Sequence, residues 1–168
     1  MGNSPILVFG LPRSGTTWIG KLFDSHPDVV YRHEPDSWIH IDGVPLFPSP
    51  DDPEFRQHAR HYLEQVVPMC STATCGKLPL FPKRYRSPLA QRLHKGSLAL
   101  ALLLEKTGIG IKPPILAAGT GPSARLTWKS IESVGRLALF LAANRQACGV
   151  HIARHPCGYI SSVIRGES

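Results

Sequence analysis

The sequence lacks a long hydrophobic run: among its 168 residues, the longest apolar stretch covers only residues 98–104. A helix that crosses a bilayer needs about 20 apolar residues, so this sequence predicts no membrane span and no membrane partner. It also lacks a secretory leader, because the apolar run at residues 6–9 has no basic segment before it and no cleavage site. We therefore expect a cytoplasmic protein.

Cysteine is scarce as well. The sequence has only four cysteines, which are Cys70, Cys75, Cys148 and Cys157. Four cysteines in a chain of this size do not make a disulfide scaffold, so we expect reduced thiols and no Cys70–Cys75 disulfide. The spacing of these two cysteines from His58 and His61 matches no known zinc motif, and we predict no metal site.

Acidic residues are the minority among the charged ones. The 19 lysines and arginines outnumber the 12 aspartates and glutamates, which gives a net charge of +7 and a pI near 9.5. This sign favours a polyanionic ligand such as a nucleotide phosphate or a nucleic acid. The basic residues are dispersed and not interleaved with aromatic ones, which argues against nucleic acid. With 42% hydrophobic residues, the chain is expected to fold as a single domain over residues 1–168.

Short apolar runs alternate with longer amphipathic segments along the chain. We predict strands at residues 6–9, 29–31, 126–129 and 150–153. Predicted helices run from Thr16 to before Pro27 and over residues 54–67, 88–106, 131–144 and 156–164. The first helix is inferred from apolar residues at helical spacing, namely Trp18, Ile19, Leu22 and Phe23. Strands that alternate with helices predict an α/β protein with three layers, α/β/α, and a parallel sheet that binds its ligand at the carboxyl ends of the strands.

The loop after the first predicted strand indicates a phosphate site. Residues 10–17 read Gly-Leu-Pro-Arg-Ser-Gly-Thr-Thr and lie between a strand and a helix. In that position the amides of the turn and the helix dipole bind an anion, and Gly10 and Gly15 let the backbone approach it. The loop is similar to the Walker A motif, but Thr16 stands where that motif has its lysine. A magnesium-dependent nucleotide kinase or NTPase stays open as an alternative.

Residues 12–18, Pro-Arg-Ser-Gly-Thr-Thr-Trp, resemble the loop that binds the 5′-phosphosulfate in sulfotransferases that use 3′-phosphoadenosine-5′-phosphosulfate (PAPS). Residues 22–29 resemble the stretch that follows this loop in the carbohydrate and tyrosylprotein branch of the family. The resemblance implies a P-loop nucleotide-kinase-like fold with PAPS as co-substrate and no metal. It implies that the 5′-phosphate and the sulfuryl group are bound by Arg13, Ser14, Gly15, Thr16 and Thr17, with Arg13 also acting in catalysis. Trp18 and Trp128 are expected in the core or as walls of an adenine pocket.

A second motif matches the same family further along the chain. Arg154 ends the last predicted strand, and Ser162 follows eight residues later in the last predicted helix. In the family, an arginine and a serine with this spacing bind the 3′-phosphate of PAPS. The resemblance therefore implies the same role for Arg154 and Ser162. Because ATP lacks a 3′-phosphate, this pair argues against the kinase alternative.

The resemblance implies two further catalytic residues. Lys129 ends a predicted strand, as does the family lysine that lies near the bridging oxygen of the donor. The Lys-x-His pattern of cytosolic phenol and steroid sulfotransferases is absent, because Ile131 stands at its histidine position. Glu34 is the candidate general base, since tyrosylprotein sulfotransferases have a catalytic glutamate at the matching place. Two alternatives stay open here: His33 as the base, and a structural Glu34 that is paired with Arg32 or caps a turn.

The implied function is transfer of a sulfuryl group from PAPS to a hydroxyl or amine acceptor, with release of PAP. The proline-rich segment 42–53 and the two helices after it would form the walls of the acceptor site. A non-catalytic PAP-binding relative stays open as a further alternative. Family members continue well beyond the Arg–Ser element, so the resemblance also predicts a domain that lacks C-terminal elements. The acceptor and the oligomeric state are left open.

Overall fold

The computed structural model describes residues 4–108 and 113–166. Its centre is a parallel sheet with the strand order β2-β3-β1-β4. The strands are β1 (Ile6–Gly10), β2 (Val29–His33), β3 (Arg125–Ser130) and β4 (Cys148–Ile152). Because all pairings are parallel, the carboxyl ends of the strands meet at one edge of the sheet, and this edge carries the segments predicted to form the site.

Helices cover both faces of this sheet. In chain order they are α1 (Thr16–Asp24), α2 (Pro53–Val66), α3 (Thr72–Cys75), α4 (Pro88–Lys106), α5 (Leu137–Ala143) and α6 (Pro156–Gly166). Helix α1 packs on β1, β2 and β3, whereas α2 and α5 pack together over the opposite face. The structure therefore confirms the predicted three-layer α/β/α architecture. Within the described residues, every helix is too short or too polar to cross a membrane.

The core between the sheet and the α2–α5 layer consists largely of aromatic rings. Phe9 of β1 and Trp128 of β3 meet edge to face at a centroid distance of 4.8 Å, and Trp128 meets Phe140 of α5 at 4.7 Å. Helix α2 contributes buried residues at helical spacing, which are Ala59, Tyr62, Leu63 and Val66. Its N-cap is Asp52, and the carboxylate accepts from two backbone amides. This packing fixes the two strands whose ends carry the phosphate loop and Lys129.

Helix α1 forms where predicted, but the apolar residues that indicated it are not its most buried residues. Its buried residues are Thr16, Gly20, Lys21 and Asp24, while Trp18 and Leu22 are 67% and 51% exposed. Gly20 lies against the ring of Tyr31, where an added Cβ would be 2.8 Å from a ring carbon. Asp24 is buried because the ammonium groups of Lys21 and Lys83 both pair with its carboxylate. Close backbone packing at Gly20 and the ion pairs of Asp24 therefore form the buried face of α1.

Three further predictions are corrected by the structure. The predicted helix 131–144 is a 3-10 turn (Val134–Arg136) followed by the shorter α5. It starts late because the hydroxyl of Ser130 accepts from the amides of Glu132 and Ser133, which holds this stretch in a turn. Strand β4 begins two residues before the predicted start and excludes Ala153. Residues 72–75, which lie outside every predicted helix and strand, form α3, which begins with a capping box between Ser71 and Thr74.

Candidate functional site

The phosphate loop leaves the carboxyl end of β1 in an unusual backbone conformation. Arg13 and Gly15 both lie in the left-handed region, with φ values of 57° and 97°. The turn is closed by Ser14, whose amide and hydroxyl both donate to the carbonyl of Leu11, at 3.2 and 2.6 Å. A left-handed arginine costs about 1 kcal/mol or more, and such strain concentrates at functional sites. Successive amides turned by this conformation form the kind of concavity that binds anions.

The two glycines of the loop serve different purposes. An added Cβ at Gly10 would lie 2.5 Å from the carbonyl oxygen of Ile152, so the packing of β1 against β4 requires glycine there. An added Cβ at Gly15 would meet no atom within 4 Å. Gly15 is the N-cap of α1 and offers no side chain to the first amides of the helix. The N-terminus of α1 therefore faces open space that is suitable for an anion.

The two sequence motifs meet directly at this edge, although about 140 residues separate them. Arg13 Nε donates to the carbonyl oxygen of Ser162 at 2.8 Å and lies 3.2 Å from its Oγ. Arg154 Nη1 donates to the carbonyl oxygen of Arg13 at 2.7 Å. Both guanidinium groups belong to exposed residues. The structure thus brings the loop, Arg154 and Ser162 to one side of the molecule, where a single ligand with two anionic ends could reach them.

A second pair of predicted residues lies deeper at the same edge. The ammonium of Lys129 on β3 pairs with the carboxylate of Glu34, and Lys129 is only 2% exposed. Burial lowers the pKa of Lys129, while the hydrogen bond and the charge of Glu34 act in the opposite direction. The backbone joins the same residues, because the amide of Glu34 donates to the carbonyl of Lys129 at 2.8 Å. Glu34 is also left-handed, with a φ of 44°.

The alternative partners of Glu34 are resolved by the geometry. Arg32 donates to the carbonyls of Val66 and Val67, at 3.3 and 2.6 Å, on the α2 side of the sheet. The alternative pair of Glu34 with Arg32 is therefore not formed, because the left-handed backbone at Glu34 ends the alternation of β2 and its carboxylate pairs with Lys129.

His33, the alternative base, is adjacent to the same carboxylate. Its Nε2 lies 3.8 Å from Glu34 Oε1, and its Nδ1 lies 2.9 Å from the hydroxyl of Tyr31. Burial and the positive charge of Lys129 lower the pKa of His33 to about 4. The imidazole is therefore neutral at pH 7, and as a base it is much weaker than an ordinary histidine.

A buried aspartate that sequence reasoning missed joins the two catalytic candidates. Asp36 is 3% exposed, and its Oδ2 accepts from the hydroxyl groups of Ser130 and Ser133, the latter at 2.6 Å. Its Oδ1 lies 3.4 Å from the indole nitrogen of Trp128. Asp36 therefore holds the Glu34 turn against the residues on both sides of Lys129. The sequence around Asp36 gives one hint of its role, which is its position two residues after Glu34. Its hydrogen-bond partners lie more than 90 residues away in the sequence.

The two tryptophans expected in the core or at an adenine pocket differ in position. Trp128 is fully buried among aromatic rings, so it is a core residue. Trp18 is two-thirds exposed beside the phosphate loop, so the core interpretation was wrong for it and stacking on a base stays a prediction. Among residues 4–108 and 113–166, no three of the histidine, cysteine, aspartate and glutamate side chains are grouped as a metal site would need.

Comparison with known proteins adds one finding to this geometry. Residues 5–166 match the model of the sulfotransferase family. No curated protein and no solved structure matches the chain. The matched range includes the loop at residues 10–17, the Glu34–Lys129 pair, Arg154 and Ser162.

Proposed function

The chain belongs to the sulfotransferase family, whose fold is P-loop-like, and from this premise we propose that it transfers a sulfuryl group from PAPS to a hydroxyl or amine acceptor and releases PAP. One observation carries the proposal: the direct contact of Arg13 with Ser162 and of Arg154 with Arg13. Two motifs that are far apart in sequence thereby form one cationic site beside an open helix N-terminus. A donor with a 5′-phosphosulfate and a 3′-phosphate has two anionic ends that suit this site.

Donor binding is proposed to use both motifs. The amides of the loop and the hydroxyls of Thr16 and Thr17 would bind the 5′-phosphosulfate at the N-terminus of α1. Arg154 and Ser162 would bind the 3′-phosphate, because a guanidinium donates two parallel hydrogen bonds to a phosphate. Arg13 would exchange its bonds to Ser162 for bonds to the donor. Its present partners show that its side chain already reaches the region between the two motifs.

The transfer step is proposed to use the Glu34–Lys129 pair. Glu34 would accept the proton of the acceptor hydroxyl as the acceptor oxygen forms its bond to sulfur. The bond between sulfur and the bridging oxygen breaks, and its electron pair stays on the 5′-phosphate of PAP. Lys129 would donate a hydrogen bond to that bridging oxygen, and Arg13 would stabilise the charge that develops there. Glu34 is the proposed base because its carboxylate pairs with Lys129, the proposed donor to the bridging oxygen, and the adjacent His33 stays the alternative base.

A ligand-induced thermal shift tests the donor site. PAP is expected to raise the melting temperature of the chain, and at one hundred times the Kd it stabilises the fold by about 2.7 kcal/mol. The Arg13→Ala protein should lose this shift. Arg84→Ala is the matched control, because Arg84 pairs with Asp28, which precedes β2 at the opposite end of the sheet. A larger shift with ATP and Mg²⁺ than with PAP would instead favour the kinase alternative.

Transfer of ³⁵S from labelled PAPS tests the reaction across phenol, sterol, sugar, peptide and small-metabolite acceptors. Glu34→Gln should keep the PAP-induced thermal shift and lose transfer, because the amide cannot accept the proton. An active Glu34→Gln protein would contradict the assignment of the base. A wild-type protein that binds PAP but transfers to no acceptor would favour the non-catalytic alternative.

A further inference from the structure

Two thiols lie close together outside the residues used by the proposed reaction. Cys75 is the last residue of α3, and Cys70 precedes Ser71, the N-cap of that helix. Cys75 Sγ lies 3.7 Å from the carbonyl oxygen of Met69, the residue directly before Cys70. The two thiols lie near enough to shift each other's pKa, with Cys70 acting as the donor and Cys75 as the acceptor. A single helical turn thus returns the chain so that the sulfur of Cys75 lies beside the backbone that leads into Cys70.

The local structure holds this turn in place. The side chain of Ser71 accepts from the amide of Thr74, and the hydroxyl of Thr74 accepts from the amide of Ser71. Helix α3 packs against β2, and both cysteines are half-buried and free. The pair is therefore positioned by the fold and is still open to a small oxidant.

The surroundings give the two thiols different chemical roles. The hydrogen bond from Cys70 lowers the pKa of Cys75 to about 6, burial opposes this, and the positive charge of Arg32 supports it. The same hydrogen bond, together with burial, raises the pKa of Cys70. At pH 7 Cys75 is therefore largely a thiolate, the form that reacts with oxidants, and Cys70 keeps its proton.

We propose that Cys70 and Cys75 form an oxidisable dithiol, which a hydroperoxide converts to a reversible disulfide. The thiolate of Cys75 attacks one peroxide oxygen, so that an S–O bond forms, the O–O bond breaks and hydroxide or alkoxide leaves. Cys70 then loses its proton and attacks the sulfenic sulfur, so that the S–S bond forms and the oxygen leaves as water. The two thiols are oxidised and the hydroperoxide is reduced. This inference does not depend on the proposed sulfuryl transfer.

Peptide mapping after peroxide treatment tests the proposal on the intact chain. Trypsin releases Cys70 and Cys75 together in residues 61–77, whereas Cys148 and Cys157 fall in the separate peptides 146–154 and 155–165. Hydrogen peroxide followed by alkylation should give peptide 61–77 unalkylated and lighter by two hydrogen atoms than the reduced peptide. Dithiothreitol should restore full alkylation. The exposed Cys148 and Cys157 serve as internal controls and should stay alkylated. If both cysteines of peptide 61–77 are alkylated as completely after peroxide as before, the proposal is wrong.

The rate of alkylation tests the roles of the two thiols separately. Without peroxide, the reaction of Cys75 with iodoacetamide should reach half its plateau rate near pH 6. In Cys70→Ala the midpoint should move to higher pH, because the donated hydrogen bond is lost, and peroxide should then yield sulfenic acid and no intramolecular disulfide. Cys148→Ala is the matched control and should leave both results unchanged. An unchanged midpoint in Cys70→Ala would show that Cys70 does not act on Cys75.

Discussion

The two halves of the candidate site are built in opposite ways. The Glu34–Lys129 half lies at the ends of the neighbouring strands β2 and β3, and both Lys129 and Asp36 beneath it are buried. The Arg13–Arg154–Ser162 half depends on the loop after β1 and on β4 and α6, neither of which has a buried residue. The first half is held by packing and by satisfied polar groups. The second is held mainly by hydrogen bonds between exposed groups, and a ligand can replace those bonds.

This difference suggests a division of labour. A buried pair keeps its geometry without a ligand, which suits groups that must be aligned for a chemical step. Exposed arginines can reorient and be desolvated by an anion, which suits binding. Changes in the buried half should therefore alter turnover and folding stability. Changes in the exposed half should alter donor affinity and leave the fold nearly as stable as before.

The largest effect is expected from the buried lysine. Lys129→Met removes the proposed donor to the bridging oxygen and leaves the Glu34 carboxylate without its partner. Sulfuryl transfer should fall by about 10³-fold, as is usual when a transition-state hydrogen-bond donor is lost, while PAP affinity should change by less than about threefold. Initial rates with ³⁵S-PAPS would measure the loss of sulfuryl transfer, and calorimetric titration would measure the affinity for PAP. A Lys129→Met protein with equal losses in rate and in PAP affinity would contradict the division between the halves.

The buried half should also make folding stability depend on pH. Burial lowers the pKa of His33 to about 4, below its ordinary value near 6.5, so the unfolded chain binds a proton there more readily than the folded one. Stability from this group is complete above pH 6.5 and is lost as the pH falls towards 4, by at most about 3 kcal/mol. Urea unfolding at pH 7 and at pH 4.5 would measure this loss, and His33→Gln should reduce it. An equal pH dependence in wild-type and His33→Gln proteins would assign the loss to other groups.

The exposed half should respond mainly in affinity. Arg154→Ala removes a charged partner of the proposed 3′-phosphate and should weaken PAP binding by about 100-fold, or roughly 2.7 kcal/mol. The melting temperature without ligand should change little, because Arg154 is exposed and its bond to the carbonyl of Arg13 can be replaced by water. Arg154→Lys keeps the charge but lacks the two parallel donors. Its PAP affinity should therefore lie between those of the wild type and Arg154→Ala. A large loss of stability in ligand-free Arg154→Ala would show that this half is held by packing after all.

Much of this arrangement could be predicted from sequence, and the exceptions have physical reasons. The apolar runs and the glycine-rich loop predicted the parallel sheet and the edge that carries Arg13, Glu34, Lys129 and Arg154. Spacing along the chain could not show that Lys129, and not Arg32, pairs with Glu34, because strand pairing decides which side chains meet. It also could not show Asp36 or the exposed face of α1, since both depend on groups from distant elements.

The smallest expected effect tests whether the contact between the two motifs belongs to donor binding. Ser162→Ala removes one neutral hydroxyl near Arg13 and the proposed 3′-phosphate, so PAP affinity should fall by about fivefold, or roughly 1 kcal/mol. Ser161→Ala is the matched control on the same helix, and its affinity should equal that of the wild type. Calorimetric titration resolves this difference. Because Arg13 also bonds to the backbone carbonyl of residue 162, the contact itself should survive the change in the free protein. An equal loss in both variants would mean that α6 acts through its overall position and not through the Ser162 hydroxyl.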